Sequence, residues 1–127
     1  MDGLKRLGFK IFVELEELHV QNIFSLLNTV IEPTGNVQEL HDYRDVLIDW
    51  ASNGYIVIGV DDKDRADEDL NAGQTVEFLG RLEELFRFDE EGAHWTLRDG
   101  DVRTTELPAV ILTDKGLQKA IEVLKAQ

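Results

Sequence analysis

One helix that leads directly into a strand constrains this chain more than any other feature. Apolar residues recur in it at alternating steps of three and four, a spacing that predicts a helix with one buried stripe. That stripe consists of Leu40, Tyr43, Leu47 and Trp50. Asn53 and Gly54 follow, and glycine suits the left-handed residue that ends many helices. The run "YIVIGV" (residues 55–60) then predicts a buried strand, so helix and strand together indicate an α+β fold.

Another helix is predicted upstream of this one, over residues 18–31. Pro33 ends it, because the residue before a proline avoids helical angles. Asn36 then stands three residues before Glu39, which is the spacing of a capping box for the next helix. Residues 8–17 alternate like a strand but also fit the start of a helix, and both interpretations stay open. The apolar face predicted for residues 18–31 consists of Leu18, Ile23, Leu26, Leu27 and Val30.

The middle of the chain begins with the acidic segment "DDKDRADEDLNAG" (residues 61–73). It has no apolar period and is interpreted as an exposed loop. Asp67, Asp69 and Asn71 imitate the start of a calcium loop, but the glycine and glutamate that such a loop needs are out of register. A third helix is predicted over residues 74–86. Its apolar face consists of Val76, Leu79, Leu82 and Phe86.

The last part of the chain predicts a hairpin, a strand and a final helix. The segment "HWTL", with Trp95 expected in the core, alternates before Asp99 and Gly100, a pair that favours a tight hairpin turn. "AVIL" (Ala109–Leu112) predicts a strand, and Thr113 is expected to cap the helix after it. The buried stripe of that helix is predicted to be Leu117, Ile121 and Leu124.

The charge of the chain limits the partners that it can bind. The formal net charge is −13, and almost all of it lies within residues 14–80, where 15 acidic residues stand against three basic ones. This asymmetry favours a basic partner and opposes nucleic acid. Cysteine is absent, and no apolar run approaches the roughly 18 residues of a membrane span. We therefore expect a cytoplasmic protein that does not enter a membrane.

The order of these elements resembles that of the winged helix-turn-helix superfamily. The likeness covers residues 18–60 and 109–126 and includes the motif "LTDKG" (residues 112–116) between the last strand and the last helix. The length of 127 residues predicts a single domain over residues 1–127. The likeness implies that this domain has a winged-helix-like α+β core of three or more helices and a small antiparallel sheet. Residues 61–108 are longer than a simple wing, so we expect them to add an acidic loop, a helix and a hairpin.

In that superfamily the helix before the first wing strand enters the major groove of DNA, and here this position falls on residues 37–53. Its expected solvent face carries Glu39, Asp42, Asp45 and Asp49. These carboxylates would meet phosphates with like charge, so the expected partner is a basic protein. The loop acids expected to assist are Asp61, Asp62 and Asp64. A non-catalytic immunity protein, inhibitor or chaperone fits this interpretation.

Two other functions stay open. One is a winged-helix transcriptional regulator that binds DNA through its less acidic end, where Arg98 and Arg103 flank the predicted turn. The other is a small metal- or ligand-binding protein, although the histidines are too scattered to indicate a site. These are His19, His41 and His94. No pattern indicates catalysis or a cofactor, so we expect neither, and the apolar face of the N-terminal segment is able to pair two chains.

Overall fold

The sheet of this protein joins strands that lie far apart in the sequence. A computed structural model describes residues 2–59, 70–98 and 108–126. These ranges contain six helices, a three-stranded antiparallel sheet and a two-stranded hairpin, so the predicted α+β class is confirmed. The acidic residues 61–69, the turn at Asp99 and Gly100, and Arg103 lie outside the described residues.

Helices and strands are interspersed along the described residues. The helices are α1 (Asp2–Leu18), α2 (Ile23–Val30), α3 (Gln38–Ser52), α4 (Ala72–Leu79), α5 (Leu82–Leu85) and α6 (Asp114–Lys125). The strands are β1 (Val20–Asn22), β2 (Ile56–Gly59), β3 (Phe86–Asp89), β4 (His94–Leu97) and β5 (Ala109–Leu112). Thus α4, α5 and the β3–β4 hairpin are inserted between β2 and β5.

The central strand of the three-stranded sheet is the last strand of the chain. β5 pairs antiparallel with β1 on one side and with β2 on the other. Val20, Ile111 and Val57 face one another across the three strands. Ile58 and Val110 are fully buried and belong to the same hydrophobic core as residues of α1, α2 and α3. The sheet therefore holds the C-terminal part of the chain against the N-terminal helices.

The opening segment is helical, which resolves the ambiguity over residues 8–17. The predicted helix over residues 18–31 was wrong in its first part, because β1 precedes α2. Leu18 is 53% exposed at the end of α1, and His19 turns the chain with a φ of +64°. The Asn22 side chain accepts the backbone N–H groups of Phe24 and Ser25, so α2 begins at Ile23.

The helix α3 was predicted well, apart from its cap. All four residues of its predicted apolar stripe are buried, and Gly54 adopts the left-handed conformation with a φ of +77°. The predicted capping box is wrong, however. Asn36 accepts the N–H of Gln38, whereas the Glu39 carboxylate turns back to the N–H groups of Thr34 and Gly35. The Glu39 carboxylate therefore hydrogen-bonds the loop before α3 and is not available for a capping box.

The helix predicted over residues 74–86 is divided into two helices. Gly80 ends α4, α5 follows, and Phe86 already belongs to β3, where it pairs with Leu97. Val76 is 49% exposed instead of buried. Leu79, Leu82 and Phe86 are in the core as predicted. Strand pairing at Phe86 thus overrides the helical period of the sequence.

The hairpin that contains Trp95 has an unexpected partner strand. Trp95 is buried and lies in β4 as predicted, but β4 pairs with the preceding β3. The Asn28 side chain of α2 makes two hydrogen bonds to the Trp95 backbone. Its Oδ1 accepts the Trp95 N–H at 2.9 Å, and its Nδ2 donates to the Trp95 carbonyl at 3.0 Å. One side chain thus fastens the hairpin to the N-terminal helices.

The final helix is capped as predicted, but the face that it buries is not the predicted one. Thr113 Oγ1 accepts the N–H of Gly116 at 3.0 Å. The buried residues of α6 are Gly116 and Ala120. Those predicted to be buried are only half-buried, namely Leu117, Ile121 and Leu124. Small residues face inward because the start of α6 lies directly against the backbone of Tyr55.

A buried tyrosine gives α3 one polar contact within the core. The Tyr43 hydroxyl donates to the Ile23 carbonyl at 2.8 Å, and burial raises the pKa of Tyr43 well above its ordinary value. Below about pH 10 the hydroxyl is neutral in both the folded and the unfolded chain. Above that pH the unfolded chain ionises first, so stability is lost as the pH rises.

We expect Tyr43→Phe to lower the free energy of unfolding by about 1 kcal/mol at neutral pH, because it removes one buried hydrogen bond. We also expect the variant to lose the part of the alkaline destabilisation that Tyr43 causes. Urea denaturation at pH 7 and above pH 10 measures both effects. An equal alkaline slope in the variant and the wild type would assign that slope to other groups.

Candidate protein-interaction surface

The outer face of α3 carries three aspartates in one row. Asp42, Asp45 and Asp49 recur at steps of three and four residues, so they lie on one side of the helix. Asp45 and Asp49 are exposed, and Asp42 is half-buried. The opposite side of α3 is anchored in the core by its buried apolar stripe, which fixes the orientation of the row. We call Asp42, Asp45 and Asp49 the aspartate stripe.

Local contacts order the aspartate stripe without neutralising it. Gln38 Nε2 donates to Asp42 at 2.9 Å, and Asn53 Nδ2 lies 3.4 Å from Asp49 Oδ1. Both donors are neutral amides. Arg44 Nε bonds Asp45 at 2.9 Å and is the one cation within 4 Å of the stripe among the described residues. Three carboxylates against one guanidinium leave the row negative.

Glu39, the fourth acid predicted for this surface, has another role in the structure. Its carboxylate accepts the backbone N–H of Thr34 at 3.0 Å and that of Gly35 at 3.2 Å. It also lies within hydrogen-bond distance of the Thr34 hydroxyl. Glu39 is half-buried and is turned toward the loop before α3. It therefore fixes that loop and is not grouped with the aspartate stripe.

The remaining acids predicted for this surface are Asp61, Asp62 and Asp64, and all three lie outside the described residues.

An interaction that the sequence did not reveal links α3 to the inserted helices. His41 Nε2 contacts the Glu83 carboxylate, which joins α3 to α5 across 42 positions of sequence. Neither residue stands in a motif, so no local signal indicated the pair. The contact holds α5 beside the edge of the aspartate stripe.

Arg98, which was considered for DNA binding, is engaged in structural contacts, and Arg103 lies outside the described residues. Arg98 donates to the backbone carbonyls of Glu83 and Phe86, at 3.2 and 3.1 Å. It thereby fastens the end of β4 to α5. Lys115 of α6 lies 5.5 Å from the centre of the Tyr55 ring, a cation–π distance. These contacts restrict the freedom of both side chains to reach a phosphate.

The described residues contain no cluster of three His, Asp or Glu side chains that is able to hold a metal ion. Asn71, considered for a calcium loop, caps α4 together with Gln74 in a complete capping box. His19 lies between α1 and β1, His41 lies on α3 and His94 lies on β4. Among the helices of these residues, none has both the length and the hydropathy needed to cross a bilayer.

Comparison with known proteins gives no relative from which a function could be transferred. No family model, no curated protein and no solved structure matches this chain. Its function is therefore inferred from the charges and contacts of the residues described above.

Proposed function

We propose that this chain is a non-catalytic interaction protein that binds a basic protein partner through the aspartate stripe. The observation that carries the proposal is the row of Asp42, Asp45 and Asp49, two of them exposed, with Arg44 as the one cation within 4 Å among the described residues. A partner that presents lysines or arginines at similar spacing would complete the missing ion pairs. An immunity protein, an inhibitor or a chaperone would have this mode of binding.

The position of the stripe on α3 favours recognition by a rigid surface. Leu40, Tyr43 and Leu47 are essentially inaccessible to solvent and hold the helix in place. A surface fixed in this way loses little conformational entropy on binding. Exposed charges chiefly accelerate encounter with an oppositely charged partner, and the net charge of −13 extends this attraction beyond the contact area.

We also propose that the core is winged-helix-like. In support, α1 precedes two consecutive helices, α2 and α3, which are followed by β2 and by the returning strand β5. The motif "LTDKG" bridges β5 and α6, with Thr113 as the cap and Gly116 against the sheet. The inserted α4, α5 and hairpin occupy the place of a wing.

In such a core α3 would be the helix that enters the major groove, and this makes duplex DNA the chief competing partner. The aspartate stripe would then meet phosphates of the same sign. Each such contact near ~4 Å costs about 1 kcal/mol even when water screens it fully. The stripe also lacks the lysine and arginine side chains that normally gain binding free energy by releasing counterions from DNA. We therefore favour a basic protein over DNA.

The proposal is tested by neutralising the aspartate stripe. The variant Asp42→Asn, Asp45→Asn, Asp49→Asn keeps the shape of the helix and removes three charges. The matched control is Glu77→Gln, Glu90→Gln, Glu122→Gln, which removes three exposed charges that make no ion pair within the described residues. Both variants and the wild type are used for capture from the source cell.

We expect the wild type and the control to retain a basic protein that the stripe variant loses. Titration with that purified protein should show affinity about tenfold weaker for the stripe variant, which corresponds to about 1.4 kcal/mol. Equal affinity for all three proteins would reject the stripe as the binding site. Salt-sensitive binding of duplex DNA by the wild type would favour the transcriptional regulator instead.

A further inference from the structure

The outer face of α1 leaves two apolar side chains uncovered. Phe9 is half-buried, and Val13, one turn later, is 37% exposed. Beside them lies a recess of about 300 Å³, which Val30 and Ile31 also line. Lys10, Glu14, Thr29 and Glu32 complete the lining, so the recess offers a second molecule both apolar and charged contacts.

The charges on this face are separated along the helix. Arg6 and Lys10 lie toward its N-terminus, whereas Glu14, Glu16 and Glu17 lie toward its C-terminus. This order is the reverse of the one that the helix dipole favours. Lys10 also precedes Glu14 by four residues, the less favourable orientation for a pair within one helix. The arrangement therefore does not stabilise the isolated helix.

These five charged side chains have no ionic partner among the described residues. Within that part of the chain, no oppositely charged group lies within 4.0 Å of any of them. Arg6 and Lys10 border a cleft of about 450 Å³ whose other wall includes Glu32, Glu39 and Asp42, but the two walls make no ion pair. Both ends of the α1 face are thus free to meet opposite charges on another molecule.

We propose that a second copy of this chain docks antiparallel along α1. A two-fold axis between Phe9 and Val13 places Phe9 against Val13 of the second copy. The same axis brings Arg6 next to Glu16 of the second copy, and this pair occurs twice. An isologous contact of this kind needs one self-complementary patch, and the separated charges of α1 supply it.

The charges of this face suit a second copy of the chain. Two chains with a net charge of −13 repel each other over most of their surfaces. Among the described side chains on the outer face of α1, two cations stand against three carboxylates, so it is a face on which such chains can meet. The inference does not depend on the proposed function, because it uses no residue of the aspartate stripe.

The size of the contact indicates a weak dimer. A helix of 17 residues is about 25 Å long, so two such helices bury a small interface. We expect reversible monomer–dimer association of the full chain in sedimentation equilibrium. A chain that is monomeric over the whole range from micromolar to millimolar concentration would overturn the proposal.

Charge reversal tests the antiparallel geometry. In Arg6→Glu the carboxylate at position 6 faces Glu16 of the second copy, and in Glu16→Arg the guanidinium at position 16 faces Arg6 of the second copy. We expect each variant alone to dimerise at least about tenfold more weakly than the wild type. An equimolar mixture of the two should recover dimerisation as a heterodimer, because the carboxylate introduced at position 6 of one chain then meets the guanidinium introduced at position 16 of the other. The double variant Arg6→Glu, Glu16→Arg should also recover it.

Matched controls separate this pairing from a general change of charge. Arg87→Glu and Glu90→Arg make the same exchanges at exposed positions of the β3–β4 hairpin and should leave dimerisation unchanged. Circular dichroism checks that all variants stay folded, which we expect because neither Arg6 nor Glu16 makes an ion pair with the described part of its own chain. A mixture that stays as weakly associated as its separate components would overturn the antiparallel arrangement.

Discussion

Replacing Gly116 by alanine is expected to lower the free energy of unfolding by about 3 kcal/mol. A Cβ at this position would overlap the backbone carbonyl oxygen of Tyr55 and come within 2.8 Å of Leu112 Cδ1. The overlap is with backbone, so no rotamer change relieves it. The start of α6 would have to move away from the sheet, and with it Thr113, whose Oγ1 lies 2.6 Å from the Gly54 carbonyl oxygen.

Gly73→Ala is the matched control for this prediction. Gly73 lies in α4, where an added Cβ would meet only the Asn71 side chain at an ordinary 3.6 Å. Alanine is the better helix former, so the control should gain up to about 1 kcal/mol. Urea denaturation of both variants measures the two opposite effects. A Gly116→Ala variant as stable as the wild type would mean that α6 does not lie against Tyr55.

The local patterns of the sequence predicted the elements that depend on local physics. α3 was found from its apolar period, β2 and β5 from short apolar runs, and the start of α6 from Thr113. In each case the signal lies within a few residues of the element. A helix cap or an amphipathic stripe is specified by neighbours in the chain, and a single sequence contains those neighbours.

The errors occurred where distant residues decide the local conformation. Leu18 fits a helical face with Ile23, but the antiparallel pairing of Val20 with Ile111 places a strand between them. Phe86 fits the period of a helix, but its pairing with Leu97 begins β3. Such pairings join segments whose proximity in the folded protein cannot be read from the residues that neighbour them in the chain. Tertiary contacts therefore overrode a correct local preference in both places.

The candidate site shows the same division. Helical spacing was sufficient to place Asp42, Asp45 and Asp49 together on the outer face of α3. It could not show that Glu39 accepts backbone N–H groups of the preceding loop, because the path of that loop is set by tertiary structure. The contact between His41 and Glu83 was hidden for the same reason. The spacing of residues predicts which side chains share a face of a helix. Only the fold determines which of those side chains are free to bind a partner.

Replacing Asn28 by alanine is expected to lower the free energy of unfolding by about 2 kcal/mol and to loosen the β3–β4 hairpin. The variant loses both hydrogen bonds between the Asn28 amide and the backbone of Trp95, each worth about 1 kcal/mol. Among the described residues β4 pairs with β3, and the Asn28 amide adds a second attachment at the Trp95 backbone. Hydrogen exchange should therefore show faster exchange of the Trp95 amide in the variant.

Thr29→Ala is the control for Asn28, since within the described residues its hydroxyl bonds only the Ser25 carbonyl of its own helix, at 2.7 Å. We expect it to change stability by less than about 0.5 kcal/mol, as exposed substitutions generally do. Equal protection of the Trp95 amide in the Asn28 variant and the control would show that the hairpin is held by its apolar contacts alone. Selective loss at Trp95 would show instead that one amide of α2 sets the position of the whole hairpin, although the two are 67 residues apart in the chain.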